Sequence, residues 1–466
     1  MSSADLVVLG AGPAGLAAAW RAARSGRSVT VLERAPVIGG MAGSFEVAGV
    51  RVDHGSHRLH PATSPRLLAD LHDLLGDDLQ LRRRHGRLHV GDVWVGFPLA
   101  AAELAQRIPR RMLVGMAVDA ATAPARRRPS PPANYADALT RGLGPTLYRA
   151  LYAPFALKLW GLPGERIDAE QARRRVTADT PWKIAARIVR RRGNGQGRLF
   201  HYPRRGFGQI VEALAQAASD AGVRIALGTA AEQLVPGADR VRVRLGDGRS
   251  IEAGQVFSTV PLPTLAKIVT PGPPERALAG AAQLRFRAMV LVYLVVDRRQ
   301  RWTPYDAHYL PDADTPVTRV SEPANYRANL DDPADRTVLC AELPCALDDE
   351  VWSASDHDLA ARVCDDLART GLPAIRPSAV VTRRLRHVYP VYDVGFRTRL
   401  EELDAWAAAL RRITTFGRLG LFAHDNTHHA MEMAYDAVDA LDTGGSVDQA
   451  AWSAARARFA THVVED

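Results

Sequence analysis

The chain has 466 residues, 47% of them hydrophobic and 24% charged, and it carries a formal charge of +9. That length exceeds what a single core usually takes and predicts two domains. The ordinary globular composition excludes a largely disordered chain, a collagen-like fibre and a disulfide-stapled mini-protein. Cys340, Cys345 and Cys364 form no CxxC pair, which argues against a zinc site and fits a reducing compartment. The positive charge is nearly all arginine, since only Lys158, Lys183 and Lys267 are lysines. A GC-rich genome produces the same arginine and alanine bias, so charge alone does not choose among nucleic acid, membrane and anionic small molecules. Met1 to Asp5 is short and polar, and the longest apolar run is Ala288 to Val296, half the roughly 18 residues a membrane span needs. A cytoplasmic protein is expected.

Asp5 to Gly10 reads as a strand apolar on both faces, as a central parallel strand is. It runs into Gly10-Ala-Gly12-Pro13-Ala14-Gly15 and a helix from Leu16 to Ser25. Gly10 permits a tight turn, Gly12 lets a pyrophosphate approach the backbone, and Gly15 lets the helix pack closely on the strand. The phosphate then meets free N–H groups and the positive end of the helix dipole. A second strand, Ser28 to Leu32, ends in Glu33, placed to accept hydrogen bonds from a ribose diol. Strand, glycine turn, helix, strand and acid together predict a dinucleotide-binding βαβ unit.

Glu33-Arg34 leads to a second glycine turn, Gly39-Gly40-Met41-Ala42-Gly43, which suits close passage of backbone past an extended cofactor. In this acid-then-GG pattern the sequence resembles the FAD-binding superfamily of amine oxidases, protoporphyrinogen oxidases, phytoene desaturases and UDP-galactopyranose mutases. The resemblance implies non-covalent FAD, with the loop running along the pyrophosphate and ribityl chain. Met41 stands where many members have arginine, a departure toward the desaturase and mutase side. Val52 to His60 contains His54, His57, Arg58 and His60 and is similar to the Gly-x-His-x-x-His stretch of the mutases, which passes beside the isoalloxazine ring. Flavin or substrate contact, structural hydrogen bonding and a metal site are all open to these side chains. The metal reading is the least favoured, because strand alternation would put His54 and His57 on opposite faces and no carboxylates join them.

From about Phe97 to Arg192 the pattern is mainly helical and basic, most of it consistent with solvated faces. Trp182 to Arg192 is amphipathic and compatible with contact to an anionic membrane surface. Lys158-Leu-Trp160-Gly161, followed by Arg173 to Arg175, resembles the superfamily's substrate-domain motif. That implies Trp160 as a flat wall and Lys158 with the arginines as anion ligands; a buried tryptophan with surface cations is the alternative. Tyr202-Pro203 and Gly206-Phe207-Gly208 resemble the entry to the second FAD segment, with Tyr202 as a substrate contact. A helix from Gln209 to Ala221 and a strand from Val223 follow, and the resemblance puts adenine contact at the backbone of Ala231. Val241 to Leu245 and Ser250 to Glu252, around Asp247-Gly248, predict a hairpin. Phe286 to Asp297 and Val338 to Leu343 read as strands. The flavin-adjacent lysine of amine oxidases is absent near Ala288.

Gly417-Arg418-Leu419-Gly420 precedes His424-Asp425-Asn426-Thr427, whose last three residues are natural helix caps before a helix from Met431 to Leu441. The resemblance implies that this helix end faces the flavin N1–C2=O edge and stabilises the reduced form. His428 and His429 diverge on a helix, so no metal is expected there. The expected fold class is α/β, a Rossmann-type, glutathione reductase-like FAD domain (1–95, 200–270, 390–450) interleaved with an α+β substrate domain (96–199, 271–389). The expected activity is FAD-dependent oxidation or desaturation in bacterial specialised metabolism, with hydride passing from a small molecule to flavin N5 and then to O2 or another acceptor. His57 and His424 are the candidates for proton handling, Arg58 and Arg418 for contacts to an anionic or sugar-derived substrate. A non-redox sugar-nucleotide mutase and a non-catalytic binding module are the alternatives. No nucleic-acid partner is expected, since the arginines lack interleaved aromatics.

Overall fold

The computed structural model describes residues 2–98, 103, 106–126, 129–175, 199–329 and 331–464. The basic segment Trp182 to Arg192 lies outside the described residues. The chain builds two large sheets from widely separated stretches of sequence. In the first, β1 (Ser2–Leu9) lies between two parallel partners, β2 (Val29–Leu32) and the strand Ser250–Ser258. The helix α1 (Pro13–Arg24) makes the crossover between β1 and β2, starting three residues earlier than expected because Pro13 suits a first helical position. Arg224–Ala226 extends the sheet beyond β2, and Ile413–Thr415 joins the far end of Ser250–Ser258, both in parallel. The hairpin predicted around Asp247-Gly248 forms, and a third antiparallel strand, Ala231–Pro236, completes a meander. This is the expected Rossmann-type architecture.

Alanines dominate the buried side of α1, among them Ala17, Ala18 and Ala22. They let the helix Thr427–Asp439 pack against it through Ala430, Ala434 and Ala437 in one shared core. Carboxy-terminal sequence thus covers the amino-terminal βαβ unit.

The second sheet runs in the order Ala379–Pro390, Phe286–Asp297, Arg336–Cys345, Arg319–Ser321, Ala307–Tyr309, Gly86–Val90, Val93–Phe97. Phe286–Asp297 has the bounds the sequence predicts and is apolar on both faces. Val290, Val292 and Leu294 pack with Leu359, Val363 and Leu367 of the helix Asp356–Arg369, while Leu291 and Tyr293 pack with Val50 and Val52. The division expected at residue 95 falls inside a hairpin that pairs into this second sheet. Among the described residues no helix is long and apolar enough to cross a membrane. The three cysteines are free thiols.

A helical layer from Tyr135 to Arg175 leans on this sheet. In its helix Ala153–Trp160, Lys158 sends its ammonium to three main-chain carbonyls, Leu310 (2.6 Å), Asp312 (2.8 Å) and Val317 (2.7 Å). It therefore fastens the Leu310–Val317 loop. Lys158→Met is expected to leave these carbonyls without a donor and cost at least about 3 kcal/mol of stability, measured by chemical denaturation.

Candidate active site

Gly10 and Gly15 do what their spacing predicts. Gly10 has φ +107°, and a Cβ there would stand 2.4 Å from Thr259 Oγ1. A Cβ on Gly15 would stand 1.9 Å from the carbonyl oxygen of Gly10, so no side chain fits. Gly12 caps α1 with extended backbone, without a side-chain cap or an acid in the first turn. The end of α1 is thereby left to an outside anion.

The second turn docks on the first: Gly39 N–H donates to Ala11 O at 2.8 Å, and a Cβ on Gly40 would lie 3.6 Å from Gly12 Cα. Met41 and Ala42 follow in the short 3₁₀ turn Gly40–Ala42. The Glu33 carboxylate accepts Ala11 N–H and Ala35 N–H, both at 2.8 Å, one on each oxygen. It is half-buried, while Arg34 is exposed. Thr229 N–H donates to Glu33 O, which brings the stretch leading to Ala231 beside the acid. From the other end of the chain, Gly417 (φ +81°) arrives so close that an added Cβ would be 3.3 Å from Ala14 Cβ. Glycines from three parts of the sequence line one cradle, and its donor set fits the dinucleotide end of FAD.

The loop after Asp53 departs from the expected strand. Pairing stops at Asp53, and Gly55 takes φ +88°, so strand alternation does not relate His54 to His57. His54 Nδ1 lies 3.1 Å from Gly40 O. His57 Nδ1 lies 3.2 Å from Gly55 O, and its ring stacks on Phe207 with centroids 5.1 Å apart. A carbonyl only accepts, so Nδ1 of His57 carries the proton and Nε2 offers a lone pair. Burial pulls the pKa of this ring below its ordinary value. Arg58 bonds Asp306 and Tyr309, each at 3.2 Å, with its guanidinium 4.9 Å from the Tyr326 ring centre. Its expected role as an anion contact meets a carboxylate already in place.

On the carboxy-terminal side, Asn426 caps the helix Thr427–Asp439 in a capping box with His429. The helix begins four residues earlier than predicted, at Thr427, because the cap is Asn426. Arg418 donates to Val388 O (2.8 Å) and Asp425 O (3.2 Å), tying the strand Ala379–Pro390 to that helix end. His424 is fully buried and donates from Nε2 to Pro390 O at 2.8 Å, leaving Nδ1 as a lone pair. Burial, with Arg175 and Arg418 close by, holds its pKa well below the ordinary value. Asp425 accepts from His462 Nδ1 at 2.9 Å. Asp425, His429 and His462 converge within 4.8 Å, yet His429 Nδ1 already accepts Asn426 N–H (3.3 Å). These hydrogen bonds use one nitrogen of each histidine and one oxygen of Asp425.

Three substrate candidates are used elsewhere. Lys158 is spent on the Leu310–Val317 loop. Trp160 is 4% exposed and packs edge-on to Tyr135 in the helical core, the outcome of the buried-tryptophan alternative. Tyr202 is fully buried and donates its hydroxyl to Asp53. Asp53, Thr259, Arg319 and Glu342, absent from the sequence expectations, hold these loops together; Glu342 alone carries a clear signal, a charge inside the apolar run Val338 to Leu343.

A family model described as flavin containing amine oxidoreductase matches residues 166–437, more than half of the chain. This chain belongs to that family. A second model, an NAD(P)-binding Rossmann-like domain, matches residues 8–74. The cofactor of this family member is FAD. It is 47% identical to phytoene dehydrogenase of Streptomyces griseus over 72 residues, 16% of this chain and 14% of that enzyme. It thus spans only a small part of that curated relative. Its fold is similar to that of reduced UDP-galactopyranose mutase (TM-score 0.81, 20% identity, 99% of this chain and 100% of the other). It is also similar to putrescine oxidase bound to putrescine (TM-score 0.65, 18% identity, 94% of this chain and 98% of the other).

Two variants test the cradle. Gly15→Ala is expected to abolish FAD retention, because the added carbon collides with main chain and not with a movable side chain. Glu33→Ala is expected to leave the fold intact and weaken FAD binding about tenfold or more, a loss of at least one charged hydrogen-bond contact. Visible flavin absorbance after gel filtration, beside a melting curve, reads both.

Proposed function

We propose that this protein is an FAD-dependent oxidoreductase that takes a hydride from a small-molecule substrate. The observation that carries the reading is the glycine cradle around the bare end of α1, with Glu33 beside it, in a chain of the flavin-containing amine oxidoreductase family. Gly10, Gly12, Pro13, Ala14 and Gly15 would hold the pyrophosphate, and Glu33 a ribose. The backbones of Gly39 to Ala42, Ala231 and Gly417 would line the rest. Asp425, Asn426 and Thr427 would present the helix end to the flavin ring. Bound FAD supplies the two-electron acceptor, and the protein supplies position, electrostatics and proton handling.

The two buried histidines have a common property. His57 and His424 each spend one ring N–H on a backbone carbonyl and keep the other nitrogen as an acceptor. Burial keeps both imidazoles neutral near pH 7 at the cost of basicity, so each has an unprotonated nitrogen that can accept the proton of a substrate hydroxyl or amine as a hydride leaves. Arg58 and Arg418 orient the loops that bear them. The sequence from Ala288 to Val296 contains no lysine, where the resemblance to amine oxidases would place a flavin-adjacent one, so the proposed oxidation relies on histidine.

The test is spectroscopic. Substrate added without oxygen is expected to bleach the oxidised flavin band of the purified protein. A colourless protein would overturn the reading. Turnover that persists only while the flavin is kept reduced would replace it with non-redox, mutase-like chemistry on a sugar nucleotide. With a substrate in hand, His57→Asn is expected to lower kcat/KM about a hundredfold or more. Since burial holds both histidines below 6.5, the acid limb of the kcat/KM profile is expected below that pH, the bases staying neutral above it.

A further inference from the structure

Arg319 and Glu342 stand directly opposite each other on the antiparallel strands Arg319–Ser321 and Arg336–Cys345. They form a two-point ion pair, Nε to Oε1 at 3.0 Å and Nη2 to Oε2 at 2.7 Å. Glu342 is 3% exposed. Burying such a pair carries a desolvation cost that apolar residues of similar volume avoid. Its remaining bonding capacity goes to a single residue of another element. Glu342 Oε1 accepts Ser56 N–H at 2.8 Å, and Arg319 Nη2 donates to Ser56 O at 3.3 Å.

Ser56 belongs to no strand, yet both of its main-chain groups are held as a neighbouring strand would hold them. Its hydroxyl meets the Tyr326 hydroxyl at 2.5 Å. The residue before it is Gly55, where an added Cβ would stand 3.3 Å from Glu342 Oε1. The residue after it is His57, whose Nδ1 is set by the Gly55 carbonyl. Two side chains of the second sheet thus grip the peptide that orients a candidate base of the cofactor domain.

We propose that Arg319 and Glu342 are positioning residues which fix the Gly55–His57 backbone, and through it the His57 lone pair, against the bound flavin. This rests on the FAD reading of the same site. Neither side chain has a reacting role. Their work is to hold a loop that has no regular secondary structure of its own.

The experiment uses the FAD-loaded protein and the variants Glu342→Leu, Arg319→Met, the two combined, and Arg319→Lys. Each single variant leaves one charge buried alone, and is expected to speed amide exchange at Ser56 about tenfold or more and lower the melting temperature. The combined variant removes both charges and is expected to recover much of the melting temperature. Its flavin absorption envelope, fluorescence quenching and midpoint potential are expected to stay shifted from wild type. Arg319→Lys, which keeps the charge, is expected to move these flavin properties less than Arg319→Met. A combined variant with wild-type flavin properties would overturn the proposal, as would unchanged Ser56 exchange in Glu342→Leu. Wild-type protein without FAD would overturn the functional reading instead, and Ser56 exchange would still judge the grip itself.

Discussion

Asp53 is the point on which the two halves of the molecule depend. Its carboxylate is 3% exposed and accepts from Ser44 Oγ (2.5 Å), Phe207 N–H (2.9 Å) and the Tyr202 hydroxyl. Its own carbonyl accepts the Tyr293 hydroxyl at 2.5 Å. Those four partners come from the hairpin after the second glycine turn, from the stretch Tyr202 to Phe207 and from the second sheet. A buried carboxylate is costly unless donors face it, and its three donors satisfy it from different parts of the chain. The consequence is geometric: the loop bearing His54, His57 and Arg58 starts from a fixed point.

Arginine takes on a different meaning in this setting. The formal charge of +9 suggests a surface property, but several guanidiniums are internal fasteners. Arg327 is 2% exposed and bonds Asp332 and Arg51 O, while Arg58, Arg319 and Arg418 each join elements distant in sequence. A planar group with five donors suits that task, because it satisfies carbonyls and carboxylates in two directions at once. Composition alone does not separate these arginines from the solvated ones.

The parts legible in the sequence are those whose physics is local. A turn needing φ +107° at Gly10, a helix that must touch a strand at Gly15, and an acid at a strand end are written within one βαβ unit. The two-sided apolar run Phe286–Asp297 is likewise its own evidence for a buried strand. Lys158, Trp160 and Tyr202 are the opposite case. Their residue types suit ligands, and what claims them lies elsewhere in the chain: the carbonyls of Leu310 to Val317, the ring of Tyr135 and the carboxylate of Asp53. No spacing rule reports such partners. The His54–His57 loop leaves the strand after Asp53, and no local pattern reports the φ of +88° at Gly55 or its close neighbour Glu342, far along the chain.

The approach of Gly417 to Ala14 has a consequence for how the protein comes into being. The strand at the centre of the first sheet has partners from the start of the chain and from residues 250–258, and the latter in turn pairs with residues 413–415. Contacts between such remote stretches close large loops, which makes for slow assembly and long-lived unpaired edges. On the ribosome, the amino-terminal glycine turn emerges early and waits for its lid. The glycine cradle is closed by Gly417 only after residues 413–417 have been made, so its completion comes late in the synthesis of the chain.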